Sequence, residues 1–103
     1  MSTFLALADP VRRDILGLLR TGEQPAGHLV EQLRLPQPNV SKHLKALKQA
    51  GLVRIRIDGP RRLYSLDPTP LAELDDWLAP YRAHWGSRLD ALETHLDKET
   101  RTD

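Results

Sequence analysis

The spacing of apolar positions divides the chain into short helices followed by a strand pair and a long helix. Phe4, Leu5 and Leu7 form a brief apolar segment, and Asp9-Pro10 then has the pattern of an N-cap followed by the first helical residue. Val11, Ile15, Leu18 and Leu19 recur at helical spacing, and Gly22 supplies a stop. Leu29, Val30 and Leu33 mark a second amphipathic segment, which "LPQP" interrupts. A new helix is predicted from about Pro38, with Val40, Leu44 and Leu47 on one face and Gly51 closing it. Two short helices joined by a tight break have the outline of a helix-turn-helix.

The period then changes. Val53, Ile55 and Ile57 alternate with Arg54, Arg56 and Asp58, which predicts a half-buried strand. Asp58-Gly59-Pro60 is a turn signal, and Arg62, Tyr64 and Leu66 alternate on the return, so a two-stranded hairpin follows the second helix of the motif. From residue 69 onward Leu71, Leu74, Leu78, Tyr81, Trp85, Leu89, Leu92 and Leu96 fall three or four apart. Pro80 is expected to kink or divide this helix, because it has no amide proton for residue 76. The fold class predicted is mainly α with a small β-hairpin: a winged helix-turn-helix flanked by N- and C-terminal dimerisation helices. Residues 1–98 are read as one domain and 99–103 as a frayed tail.

With 103 residues and 40% apolar side chains, one small core is feasible. The absence of cysteine excludes disulfides, thiolate metal sites and cysteine nucleophiles within this sequence, and is compatible with a reducing cytoplasm. No stretch reaches the length of a membrane span, and no signal-peptide pattern opens the sequence, so no membrane partner is expected. Net charge is only +1, but it is unevenly distributed. Residues 1–36 balance; residues 37–66 hold seven basic side chains against one acidic; residues 67–103 hold four against nine. A basic middle suits a polyanion, and an acidic end belongs elsewhere.

"ALADPVRRDILGLL", "VSKHLKALKQAGLV" and "GPRRLYSL" resemble bacterial ArsR/SmtB-type transcriptional regulators. The resemblance runs from about Leu5 to Leu96. It implies a homodimer, a palindromic double-stranded operator and repression. One departure is Pro36, at a position where similar regulators often carry a serine that caps the recognition helix. Either Gln37 takes that part or the cap moves by one residue.

Successive helix residues turn by about 100°, so a core around Val40, Leu44 and Leu47 directs Pro38, Lys42, Lys45 and Gln49 the opposite way, flanked by Asn39 and Ser41. The N-terminal residues of such a helix contact bases, which selects Gln37, Asn39, Ser41 and Lys42. Gln and Asn suit adenine; Lys suits guanine O6 or N7. Lys45 and Lys48 lie farther along and suit phosphates. His43 is about 60° from the apolar face and is assigned to packing or a phosphate bond. Arg12 and Arg13 read as solvated surface, while Arg61 and Arg62 flank the wing turn and can reach a phosphate or minor groove. The dimer elements are Phe4, Leu5 and Leu7 with Leu74, Leu78, Tyr81, Trp85, Leu89, Leu92 and Leu96, since a domain this small cannot cover so long a stripe.

Some cysteine-free relatives hold a metal on the C-terminal helices, and His84 and His95 repeat one spacing of that pattern. They stand roughly 16 Å apart along a helix. Arg82 and Lys98 occupy the positions where further ligands belong, and zinc wants about four. The reading is therefore no metal and no cofactor, with a metal-responsive repressor as the alternative and the inducer unknown. A second alternative is a winged-helix protein-interaction module that binds no DNA; the basic, hydrogen-bonding residues 37–49 weigh against it. Catalysis has no support, because His28, His43, His84 and His95 are scattered and Ser41 has no oriented base.

Overall fold

The computed structural model describes residues 2–100, which fall into two compact units with the division between Ala72 and Glu73. In chain order the elements are α1 (Thr3–Leu7), α2 (Pro10–Leu19), β1 (Gln24–Pro25), α3 (Ala26–Leu33), α4 (Gln37–Gln49), β2 (Val53–Asp58), β3 (Arg61–Leu66) and α5 (Thr69–Thr100).

Each helix of the first unit has a local reason for its limits. The Asp9 carboxylate accepts from the amides of Val11 at 2.8 Å and Arg12 at 3.3 Å, and Pro10 sits in the first turn of α2. Gly51 closes α4 at φ 76°, with its amide bonded to the Lys48 carbonyl and the Leu52 amide to that of Leu47, each at 3.0 Å. That pair of bonds is the Schellman arrangement, which needs a left-handed residue where glycine stands.

Arg12 and Arg13 are not simply solvated surface. Arg13 Nη1 donates to the carbonyls of Leu7 at 2.8 Å and Ala8 at 3.3 Å, and Arg12 Nη2 donates to that of Leu5 at 3.4 Å. Arg13 bonds carbonyls at the end of α1, where a helix leaves its last carbonyls without intrahelical partners, while the Leu5 carbonyl reached by Arg12 also accepts from the Ala8 amide. The second helix thereby fastens the first.

The sheet has three antiparallel strands in the order β1-β3-β2, not two. Gln24 pairs with Tyr64 and Pro25 with Leu63, a ladder too short to leave a period in the sequence. Flanked on both edges, β3 buries neighbours on opposite faces, Leu63 at 6% exposure and Tyr64 at 9%. The expectation of a half-buried β2 holds only at its first residue. Val53 is buried, but Ile55 is 36% and Ile57 72% exposed, because the ribbon runs out beyond the core as a wing.

The core joins Ile15 of α2, Leu29 of α3, Val40, Leu44 and Leu47 of α4, and Leu52 and Val53 at the base of the wing. α5 is one helix from Thr69 to Thr100 with Pro80 inside it, so the proline does not divide it. The lost hydrogen bond and the clash of the ring cost about 3 kcal/mol, and the helical runs on either side continue through it. The tail proposed at 99–103 falls mostly outside the described residues.

Leu47 is fully buried, so Leu47→Ala should destabilise the protein by about 2–5 kcal/mol, through lost transfer energy and the cavity left behind. Urea unfolding followed by circular dichroism would measure it; a change below about 1 kcal/mol would mean that the core is not built around this helix.

Candidate nucleic-acid interface

α4 begins without a side-chain cap. Pro36 is the N-cap residue and no side chain, including that of Gln37, bonds to the first turn. The prolines themselves lower the need for one. Neither Pro36 nor Pro38 has an amide proton, and the amides of Asn39 and Val40 reach the Pro36 carbonyl at 3.0 and 3.3 Å.

With Val40, Leu44 and Leu47 buried, Gln37, Asn39, Ser41, Lys42, Lys45 and Lys48 are all exposed. Gln37 and Ser41 share a concave surface of about 330 Å³ with Arg61, Arg62 and Tyr64 of β3 and the start of α3. An adjoining depression of about 300 Å³ joins Ser41, Lys45 and Lys48 to Ile55 and Arg62. Helix and wing therefore form one basic concavity, with Ser41, Arg62 and Tyr64 common to both parts. Asn39 and Lys42 are exposed on the same helix but line neither depression. Ile55 and Tyr64 were not singled out from sequence. The strand alternation placed both on the face shared with Arg62, which was the available signal.

His43 is half-buried, and its charge interacts with the Asp9 carboxylate at the start of α2. Burial alone would raise the Asp9 pKa. The amides of Arg12 and Val11, with the charges of His43 and Arg12, outweigh it and hold the group below its ordinary value.

The wing arginines differ in their engagement. Arg56 meets Glu23 at 2.7 Å, a contact that lowers the Glu23 pKa and raises that of Arg56. Arg54 reaches Asp67 at 3.2 Å; there the Thr69 amide, followed by the Thr69 side chain and Arg54, holds the carboxylate below its usual range. Arg61 bonds Asp58 across the turn at 3.2 Å. Arg62 has no ion pair among the described residues.

On the dimer stripe, Phe4 and Leu5 are 57% and 63% exposed, Leu7, Leu74 and Leu78 are half-buried, and Tyr81, Trp85, Leu92 and Leu96 are exposed. The Leu89 side chain lies outside the described residues. Trp77, absent from the predicted stripe, is 54% exposed and packs against Tyr81 with ring centroids 5.0 Å apart and the planes tilted by 35°; Tyr81 and Trp85 follow at 6.1 Å. His84 and His95 are exposed on α5, and Arg82 is paired with Asp75. The Lys98 side chain is also outside the described residues. Among the described residues no three potential metal ligands cluster, and no helix is long and apolar enough to cross a membrane.

Residues 7–56 match the model of a helix-turn-helix domain family. The chain is 38% identical over 77 residues to the transcriptional repressor SdpR of Bacillus subtilis, covering 75% of this chain and 86% of that one. It is 51% identical over 94 residues to the HTH-type transcriptional regulator Rv2034 of Mycobacterium tuberculosis, covering 91% and 85%. Among solved structures, a possible transcriptional regulator for arsenical resistance superposes with TM-score 0.75 at 35% identity, covering 88% of this chain and 95% of that one. An ArsR-family regulator, RHA00566, superposes at 0.72 and 31% identity, covering 81% and 91%.

The chain belongs to the ArsR/SmtB-type winged helix-turn-helix transcriptional regulators. This ArsR-type protein is a DNA-binding transcriptional repressor and not an enzyme. Its binding partner is double-stranded DNA.

The pairing pattern separates the wing residues of this ArsR-type repressor. Arg62→Ala should weaken binding to all DNA sequences and lower the slope of log affinity against log salt by about one. Asp58→Ala, which removes the wing-tip carboxylate and releases Arg61, should strengthen binding. Fluorescence anisotropy over a salt series checks both; Asp58→Ala binding more weakly than the parent would show that the Asp58–Arg61 pair shapes the turn instead.

Proposed function

We propose that the protein works as a homodimeric repressor in the cytoplasm, placing α4 of each copy in successive major grooves of a palindromic operator. The observation that carries this is the burial of Val40, Leu44 and Leu47, which turns Ser41, Lys45 and Lys48 of α4 into the same concavity as Arg62. In this reading Gln37, Asn39, Ser41 and Lys42 meet base edges, and Lys45, Arg61 and Arg62 meet phosphates or the flanking minor groove. His43 serves by packing beside Asp9 and positioning α4. The winged helix and its dimerisation helices act as one domain.

The dimer rests on exposed apolar surface. Trp77, Tyr81, Trp85, Leu92 and Leu96 leave too much of α5 uncovered for an isolated chain, and Phe4 and Leu5 supply a second apolar layer. A two-fold pairing would set the two α4 helices about one DNA turn apart, roughly 34–36 Å, or a small multiple of it. The acidic surplus after residue 67 keeps this end off the phosphates.

Metal response is the weaker reading. The chain has no cysteine, and Arg82, already engaged by Asp75, stands where a ligand would be needed. Zinc should change operator affinity by less than about threefold, below the 1–3 kcal/mol of a typical allosteric coupling. A mobility shift on DNA from the gene's own promoter, with zinc and with chelator, tests this; tight stoichiometric zinc binding that disappears in His84→Ala would overturn it.

On the same DNA, Asn39→Ala should cost about 1–3 kcal/mol and blur the preference at one operator position. If the preferred sequence is unchanged, Asn39 does not read a base. Leu92→Asp should shift the protein to monomer in sedimentation at micromolar concentration and remove most operator affinity. A parent protein that sediments as a monomer yet binds a palindrome tightly would defeat the dimer.

A further inference from the structure

The two faces of the wing are sorted by chemistry. Register pairs Ile57 with Arg62 and Ile55 with Tyr64, so these four side chains share one face of the β2–β3 ribbon. Arg54, Arg56, Asp58 and Arg61 alternate onto the other. The wing's carboxylate contacts belong to that second face: Asp67 on Arg54, Glu23 on Arg56 and Asp58 on Arg61. No carboxylate belongs to the first face. Toward its foot, Ile55, Arg62 and Tyr64 share a depression with Ser41, Lys45 and Lys48 of α4. Ile57 stands two residues farther out, about 7 Å along the strand.

Ile57 is the most exposed large apolar side chain among the described residues. Apolar residues scattered singly on a surface need no explanation. This one is not scattered, because with Ile55 it carries the face of the basic concavity outward toward the turn. Strand propensity alone does not call for it, since threonine has the same β-branch without the apolar surface. Double-stranded DNA is the occupant that fits. The face is cationic where it meets α4, and Arg62 has no ion pair among the described residues. With α4 in the major groove, such a ribbon reaches the backbone and the neighbouring minor groove. The floor of that groove carries acceptors over A·T and G·C pairs alike, and guanine adds an N2 amino donor. An aliphatic side chain against that amino group removes it from water and offers it no acceptor, which leaves a buried donor unpaired.

We propose that Ile57 is a specificity-determining residue: it lies against the minor-groove floor beside the α4 half-site and selects A·T over G·C there by excluding the guanine N2 amino group. Arg62, its cross-strand neighbour, holds the adjoining phosphate. The proposal rests on the wing contact inferred above and gives that contact a base preference, carried by an aliphatic residue and not by an arginine. The wing thereby adds sequence information beyond the bases that α4 meets in the major groove.

Hydroxyl-radical footprinting of the full chain on DNA from the gene's own promoter locates the minor-groove positions protected beyond each half-site. Fluorescence anisotropy then compares duplexes with A·T, G·C or inosine·cytosine at those positions. Inosine is guanine without the N2 amino group, so it alters the minor groove and keeps the major-groove edge of guanine. The parent should bind the A·T and inosine·cytosine duplexes alike and the G·C duplex roughly tenfold more weakly. Ile57→Thr keeps the β-branch and offers the amino group an acceptor; it should bind all three alike, with the salt slope of the parent. Ile57→Ala should also lose the discrimination, and neither change touches the core, since Ile57 is exposed. Inosine·cytosine binding as weakly as G·C would overturn the proposal, as would the absence of minor-groove protection beyond the half-sites. So would discrimination that survives Ile57→Thr and disappears in Arg62→Ala, which would show that arginine reads the width of the groove. Affinity for unrelated DNA, measured alongside, separates the two readings. Operator preference without flank discrimination defeats the role of Ile57 alone, whereas loss of operator preference defeats base reading by α4.

Discussion

Val40, Leu44 and Leu47 of α4 are each no more than 1% exposed, and their burial determines the direction of every other side chain on that helix. Each such burial is worth roughly 1.5–3 kcal/mol, far more than any single surface contact available to the lysines. Rotating α4 to present Lys42 or Asn39 differently would expose three aliphatic side chains at once. The polar face is therefore held by the core, and the Schellman turn at Gly51 passes the same orientation on to Leu52 and Val53, which enter the core at the foot of the wing. Helix and wing are positioned against one another by this single apolar cluster, and the basic concavity between them follows.

The start of α4 shows a second economy. A capping serine would satisfy an orphan amide; the two prolines instead remove donors, so fewer amides need a partner. They also fix φ at the point where the chain turns from α3 into α4. Near Gln37, the first turn still carries the positive end of the helix dipole, and nothing acidic stands in it to neutralise that end. Such a terminus favours an anion close by, which agrees with Arg61 and Arg62 lining the same concave surface.

Much of this was legible because it is local. The Asp9-Pro10 start of α2, the apolar period of α4, the glycine stop and the wing turn each rest on a few neighbouring residues. What escaped is non-local. β1 has two residues, and its pairing partners stand some forty positions away, so no periodicity could reveal it. Without β1 the inward position of Leu63 was unreadable, as was the clasp of Glu23 on Arg56. The carbonyl bonds of Arg12 and Arg13 were hidden in the same way, since charge alone suggested solvent. Of the site residues, Gln37, Ser41, Lys45, Arg61 and Arg62 do come together.

The wing arginines show why a count of charges is a poor guide to the interface. Four arginines on β2 and β3 would contribute equally to a summed charge of the segment. Three of them face a carboxylate, Arg54 with Asp67, Arg56 with Glu23 and Arg61 with Asp58. Surface pairs of this kind are worth about 0–1 kcal/mol, so a phosphate can compete for any of the three, but each exchange leaves a carboxylate exposed near DNA. Arg62 carries no such penalty. It also lies in register with Ile57, whose side chain is 72% exposed, on the strand face shared with Tyr64 and Ile55. A guanidinium with no ion pair among the described residues, beside an exposed aliphatic side chain, suits a sugar-phosphate backbone, which offers both anionic oxygens and apolar sugar edges. The wing's electrostatic contribution is thus concentrated at one residue on the face that also holds Lys45 and Lys48.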